Sequence, residues 1–341
     1  MESVAAAQRP KRSWGLLALG LISFLFILPS FRLFVPIEQT SLLLVPVIAV
    51  CAVIGWLGGA KPLITLAWVI LAAWLLLVPV ASGGAAYDHM ARGWALLLAG
   101  SFGLVSLWNS ATPFFVRALG ALGLAVGTGF LLAISSPGGV DRFQRVSASE
   151  FTRRSGEMMT DFHALTGTKE WKEREATSAW FADVSDFADR MFAEVPSRSA
   201  ILLPALIALE SLAALALGWA LYHRLSPSAI GPRLSPLREF RFNDQLIWGI
   251  AVGATLLLMP PFQEGKVAGL NLLLFFGAIF FIRGMGVLAW MAHGRQLLLV
   301  TLIISVFIPP LIFLFAGAAL SLGLGDTWLD WRGRARAGDV G

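Results

Sequence analysis

The sequence predicts an all-α fold, a polytopic transmembrane helix bundle of about eight or nine spans with an amphipathic helical hairpin as an insert. Three observations predict it. Hydrophobic residues make up 57% of the 341 positions and charged residues only 14%, with a mean hydropathy of +0.74, outside the range of soluble domains. Apolar runs of the roughly 20 residues needed to cross a ~30 Å hydrocarbon layer recur along the chain. Between them lies one long polar stretch whose apolar residues recur at helical spacing.

The apolar runs fall near 14–35, 40–59, 62–82, 93–110, 113–135, 199–223, 245–262, 267–291 and 297–323. They divide the chain into an N-terminal five-span bundle over 1–135, an extramembrane or interfacial helical insert over 136–198, a C-terminal bundle of about four spans over 199–325 and a basic tail over 326–341. The first run follows Arg9, Lys11 and Arg12 but lacks a small-x-small cleavage pattern, so it reads as a retained anchor rather than a signal peptide. In the ninth run Pro309-Pro310 breaks the helix, which leaves the side of the tail open.

Within the insert, Trp180, Val184, Phe187 and Met191 repeat at i, i+4, i+7 and i+11, one face of a helix over about 177–194. Phe151, Met158, Phe162 and Leu165 suggest a second helix over roughly 148–165, with "TGTK" as the break between the two. Among the spans, Gly123 with Gly127 and Gly249 with Gly253 form GxxxG patterns suited to close helix packing.

The net charge is +5. Lys61, Arg117, the cluster from His223 to Arg241 and Arg295 fall on one side if every run crosses, as orientation signals do, so the expected partner is the lipid bilayer and no nucleic acid. That side is expected to be the cytoplasm, with the N-terminus on it. Cys51 is the single cysteine, so no intrachain disulfide forms.

Beyond residue 200 the order of features is "LLPALIALESLAALALGWALYHRL", a basic loop ending in "REFRFND", then "NLLLFFGAIFFIRGMGVLAW" and "PPLIFLFAGAALSLGLGDTWLDWRGR". This resembles the YybS-like family of bacterial multi-pass membrane proteins, a domain of unknown function. The closing pattern carries most of the likeness: a glycine-containing helix end leads to Asp326, Trp328, Asp330, Trp331 and Arg332. The resemblance implies a helical protein of the bacterial inner membrane, with a distant likeness in its N-terminal part to substrate-binding subunits of energy-coupling-factor transporters. Those work with partner membrane proteins and energising subunits. The family supplies no catalytic residues to carry over.

Glu210 interrupts an apolar run near its centre. A charge there costs roughly 2.5–3.5 kcal/mol on insertion scales, so the side chain is expected to face the bundle interior and find a partner. Arg283, in "FFIRGMG", is the expected partner, with Asn271 three turns away along the same run. Such a charge pair either fixes helix register or lines a ligand-binding cavity.

Trp328, Trp331 and Arg332 read as a lipid-interface anchor, tryptophans at headgroup level and arginine on phosphate. The four histidines are scattered, and no Gly-x-Ser-x-Gly elbow or Walker loop occurs. No catalytic residue, metal or cofactor is therefore expected. The expected role is binding or transport of a small solute or lipid-like ligand within the bundle, the alternative a membrane scaffold that captures partner proteins.

Overall fold

The computed structural model describes residues 37–59, 61–78, 84–108, 111–225, 229–259, 265–291 and 309–338. Among them every regular element is helical. The expected first span, with Arg9, Lys11 and Arg12, lies outside the described residues, as do Arg295 and the start of the ninth run. The described residues form two compact units, one running up to Leu234 and the other from Ser235 onward.

The first unit contains helices α1 (Ile37–Leu57), α2 (Pro62–Leu77), α3 (Ala85–Trp108), α4 (Phe114–Ser135), α5 (Gly139–Thr166), α6 (Lys169–Thr177) and α7 (Ala179–Leu225). Helices α1, α3 and α7 run parallel. Gln39 and Gly218 bracket the α1–α7 contact, Glu210 lying beside the former and Val47 beside the latter. On α3, Trp94 reaches Ser211 and Phe102 packs edge-on against Trp219. Helix α4 returns antiparallel to α3, with Gly129 beside Trp94 and Gly120 beside Val105. Helix α2 returns along α1, and the Thr65 hydroxyl donates to the Ala52 carbonyl at 3.1 Å.

This alternation gathers Lys61, Arg117 and Arg224 at one end of the unit and sends the polar insert out from the other. Gly138, in the left-handed region at φ 90°, makes the turn from α4 into α5 that a side chain would strain. Helix α5 then runs antiparallel to α7, held by Phe151 against Tyr87 and Leu203 near the bundle and by His163 against Asp189 further out.

The insert differs from the expected hairpin in two respects. A short helix, α6, capped by the Thr168 hydroxyl, stands where only a break was expected. The second helix does not stop at the polar boundary: α7 is continuous for 47 residues, from the insert to the far end of the bundle. The change in hydropathy near residue 199 marks where the surroundings change, and the helix runs on through Pro196 and Pro204, each of which forgoes one bond of the backbone ladder. The expected face of Trp180, Val184, Phe187 and Met191 lies outside the described side chains.

The second unit holds two single-turn 3₁₀ segments, Leu237–Glu239 and Asp244–Leu246, then α8 (Ile247–Leu258), α9 (Lys266–Met291), α10 (Pro309–Leu329) and α11 (Trp331–Gly338). Pro309 and Pro310 stand at the first two positions of α10, where a missing N–H leaves no bond unmade. Helices α9 and α10 cross backbone to backbone: a Cβ on Gly284 would lie 1.7 Å from the Ala319 carbonyl oxygen, and one on Gly323 would lie 1.9 Å from that of Phe280.

Of the two GxxxG patterns, Gly249 and Gly253 do admit neighbours, the Phe276 ring and the backbone at Gly269. Gly123 and Gly127 face open space instead, because α4 turns its other side to the bundle. Among the described residues, five helical stretches are long and apolar enough to cross a membrane: Gln39–Leu57, Ala85–Trp108, Phe114–Ser135, Ala200–Leu225 and Lys266–Met291. Pro62–Leu77, Asp244–Leu258 and Leu314–Leu329 are shorter apolar helices.

The α9–α10 crossing predicts a sharp contrast. Gly284→Ala is expected to destabilise the protein by about 2 kcal/mol or more, since overpacking against backbone has no rotamer escape, while Gly123→Ala is expected to be neutral or slightly stabilising. Thermal unfolding in detergent, followed by circular dichroism, checks both.

Candidate functional site

Glu210 sits on the buried side of α7, only 7% exposed. Its Oε2 accepts a hydrogen bond from Gln39 Nε2 at 2.5 Å and its Oε1 accepts one from the Thr40 hydroxyl at 2.7 Å, both from the first turn of α1. The donors are neutral, and among the described residues Glu210 forms no ion pair.

Gln39 continues the chain of contacts outward. Its Oε1 accepts from the Tyr87 hydroxyl at 2.6 Å and, at 3.5 Å, from an Arg154 guanidinium nitrogen on α5. That guanidinium lies 4.9 Å from the Tyr87 ring centroid and 5.8 Å from that of Phe151. Arg154 Nε also donates to Glu150 at 2.8 Å, and Arg153 donates to both Glu150 and Glu157. A polar path thus leads from the bundle interior to the exposed surface of the insert.

Burial alone would raise the Glu150 carboxyl, but the hydrogen bonds and charges of Arg153 and Arg154 outweigh it and hold the group below its ordinary value. A carboxyl depressed on folding adds stability above its unfolded pKa and loses it as pH falls through the folded one. The α5 attachment is therefore expected to weaken on acidification below the ordinary carboxylate range, and Glu150→Gln is expected to remove that acid-labile step. Limited proteolysis of the insert across a pH series measures it.

At the opposite end of the first unit, fully buried Trp219 packs against Phe102, Phe114, Tyr222 and His223. The Arg117 guanidinium lies 4.5 Å over its ring and donates to the Thr112 carbonyl. Trp219 Nε1 and the Tyr222 hydroxyl hold the chain after α7, the first donating to the Pro232 carbonyl at 3.0 Å and the second accepting from the Ile230 N–H at 2.7 Å. The protein itself fills this aromatic cluster.

Arg283 belongs to a separate cluster in the second unit. Its Nε donates to Asp326 Oδ2 at 3.0 Å, one terminal nitrogen donates to Asp244 at 2.6 Å, and the other reaches the Asp326 carbonyl at 3.2 Å. Arg332, expected on lipid phosphate, is fully buried here: it donates to Asp326 Oδ2 at 2.5 Å and to the Arg238 and Phe240 carbonyls at 3.0 and 3.1 Å. Two guanidinium groups share one buried carboxylate, with Asp244, 58% exposed, balancing the second charge.

The three segments "REFRFND", "FFIRGMG" and "GDTWLDWRGR" meet in this cluster, and Phe242 lies under Arg283 at 5.1 Å. Asn271 is not part of it; its amide donates to the Val267 carbonyl of its own helix at 2.8 Å. Trp328 is exposed, whereas Trp331 packs over Gly325. Among the described residues no three His, Cys, Asp or Glu side chains gather as metal ligands would.

Residues 178–327 match the family described as Predicted membrane protein (DUF2232). No curated protein and no solved structure matches the chain. The match covers α7 and most of the second unit, including Glu210, Arg283 and Asp326. Together with the apolar helices it describes a membrane protein of unknown function.

The ion cluster gives a prediction of its own. Asp326→Asn leaves two buried guanidinium groups without their shared counter-charge and is expected to cost about 3–5 kcal/mol. Asp244→Asn removes a largely exposed partner and is expected to cost less than about 1 kcal/mol. Thermal unfolding of the two variants side by side in detergent measures the difference.

Proposed function

We propose that this chain is a non-catalytic multi-pass protein of the bacterial cytoplasmic membrane that binds or transports a small solute or lipid-like ligand within its helix bundle. It crosses the bilayer eight or nine times, with its N-terminus in the cytoplasm. The gathering of Lys61, Arg117 and Arg224 at one end of the first unit supports that orientation. Exposed Trp328 fits a place at the lipid interface, with Trp331 beside it.

One observation carries the ligand reading. Glu210 is a carboxylate inside an apolar span, and among the described residues of its own unit it is met by neutral hydrogen-bond donors, Gln39 and Thr40. A purely structural charge in such surroundings is ordinarily paired, as Arg283 and Asp326 are. Glu210 keeps its negative charge available for a cationic or hydrogen-bond-donating group. Arg283 fits a role in helix register instead, since each of its three guanidinium nitrogens donates to Asp326 or Asp244.

Native mass spectrometry of the intact protein released from nanodiscs, beside Glu210→Gln and the surface control Asp189→Asn, tests this. A co-purifying small species retained by the wild type and the control and lost from Glu210→Gln is the expected result. If all three forms carry no small species and retain the same proteins, the solute reading fails and a scaffold that captures partner membrane proteins replaces it.

A further inference from the structure

The Gln39 amide touches both Glu210 and the insert. Its two ends are chemically different: Nε2 donates to Glu210, and Oε1 accepts from Tyr87 and Arg154. An ionised carboxylate only accepts, so it demands the donor end of the amide and fixes its orientation. In that orientation the acceptor end faces two donors, the Tyr87 hydroxyl and the Arg154 guanidinium.

A protonated carboxyl carries an O–H that seeks an acceptor. Turned toward Gln39, it is met by turning the amide over, so that Oε1 faces Glu210 and the NH₂ faces outward. The Tyr87 hydroxyl follows by changing from donor to acceptor. Arg154 cannot, because a guanidinium has only donors. Its contact with α1 is lost, and an N–H group is set against it.

We propose that Glu210 is a proton-binding site whose charge state the Gln39 amide transmits to α5 through Arg154. The step balances simply: one proton from water adds to a Glu210 carboxylate oxygen, the bundle interior loses one negative charge, and no covalent bond breaks. The idea rests on Glu210 being the functional carboxylate of the bundle.

The groups facing this site come from three elements: Thr40 and Gln39 from α1, Tyr87 from α3, and Arg154 from α5 with Glu150 and Arg153 behind it. Further out on α5, His163 meets Asp189 of α7 at 3.0 Å. Glu150, held low by its arginines, titrates only in more acid solution.

Hydrogen–deuterium exchange of the full chain in nanodiscs across a pH series, corrected for intrinsic exchange, reads the attachment of α5 over residues 148–158. Protection in the wild type is expected to fall by about tenfold on acidification, the scale of one hydrogen bond to a charged group. Glu210→Gln, which cannot take up the proton, and Gln39→Met, which keeps the length and removes the amide, are both expected to lose the response. His163→Ala is expected to retain it.

A response abolished by Glu150→Gln but intact in Glu210→Gln overturns the proposal, as does one intact in Gln39→Met. If α5 fails to respond while a small species still depends on Glu210 in native mass spectra, the relay is rejected and the solute reading stands. A response of α5 without any such species retains the proton site and rejects the solute.

Discussion

In hydrocarbon a charged side chain that leaves water must recover its hydrogen bonds from its own chain, and both units are arranged around that demand. Apolar packing between spans gains little over packing against lipid tails, so close backbone contact and internal polar partners carry much of the specificity. In the second unit the demand is met by charge against charge. Asp326 satisfies two guanidinium groups, and through the Arg238 and Phe240 carbonyls the same network pins the extended segment before α8. The glycine crossing at Gly284 and Gly323 lets α9 and α10 approach closely along the same pair of helices.

In the first unit the demand is met differently. Glu210 is satisfied by an amide and a hydroxyl, which hold a carboxylate in place without neutralising it. The compensating cations, Arg154 and Arg153, stand one residue further out and are themselves bound to Glu150. Each guanidinium and carboxylate on this path therefore depends on the next, from the membrane interior to the surface of the insert.

The sequence made some of this legible and hid the rest for physical reasons. Helical apolar runs and the buried position of Glu210 follow from composition and spacing alone. The partners do not, because hydropathy says how deep a residue lies along its own helix and nothing of which neighbour stands level with it. Glu210 is mid-run on α7 yet beside the first turn of α1, so Gln39 and Thr40 read as a polar flank. Glu150, Arg153, Arg154 and Glu157 do carry a visible signal, opposite charges three and four residues apart on one helix face. The burial of Arg332 was hidden because its acceptors, Asp326 and two carbonyls near residue 239, come together only once α10 has turned into α11.

Helix α7 has a mechanical meaning as well. At 1.5 Å per residue its 47 residues make a rod of roughly 70 Å. Asp189 beside α5, Glu210 beside α1 and Trp219 in the aromatic cluster are fixed to one shaft, about 30 and 45 Å apart from the outermost of the three. Pro196 and Pro204 each remove one backbone hydrogen bond from this shaft between Asp189 and Glu210, so a turn imposed on its outer end reaches the carboxylate and the indole only through that softer stretch. The two prolines flank residue 199, so the insert and the bundle share one helix yet meet at its most compliant point.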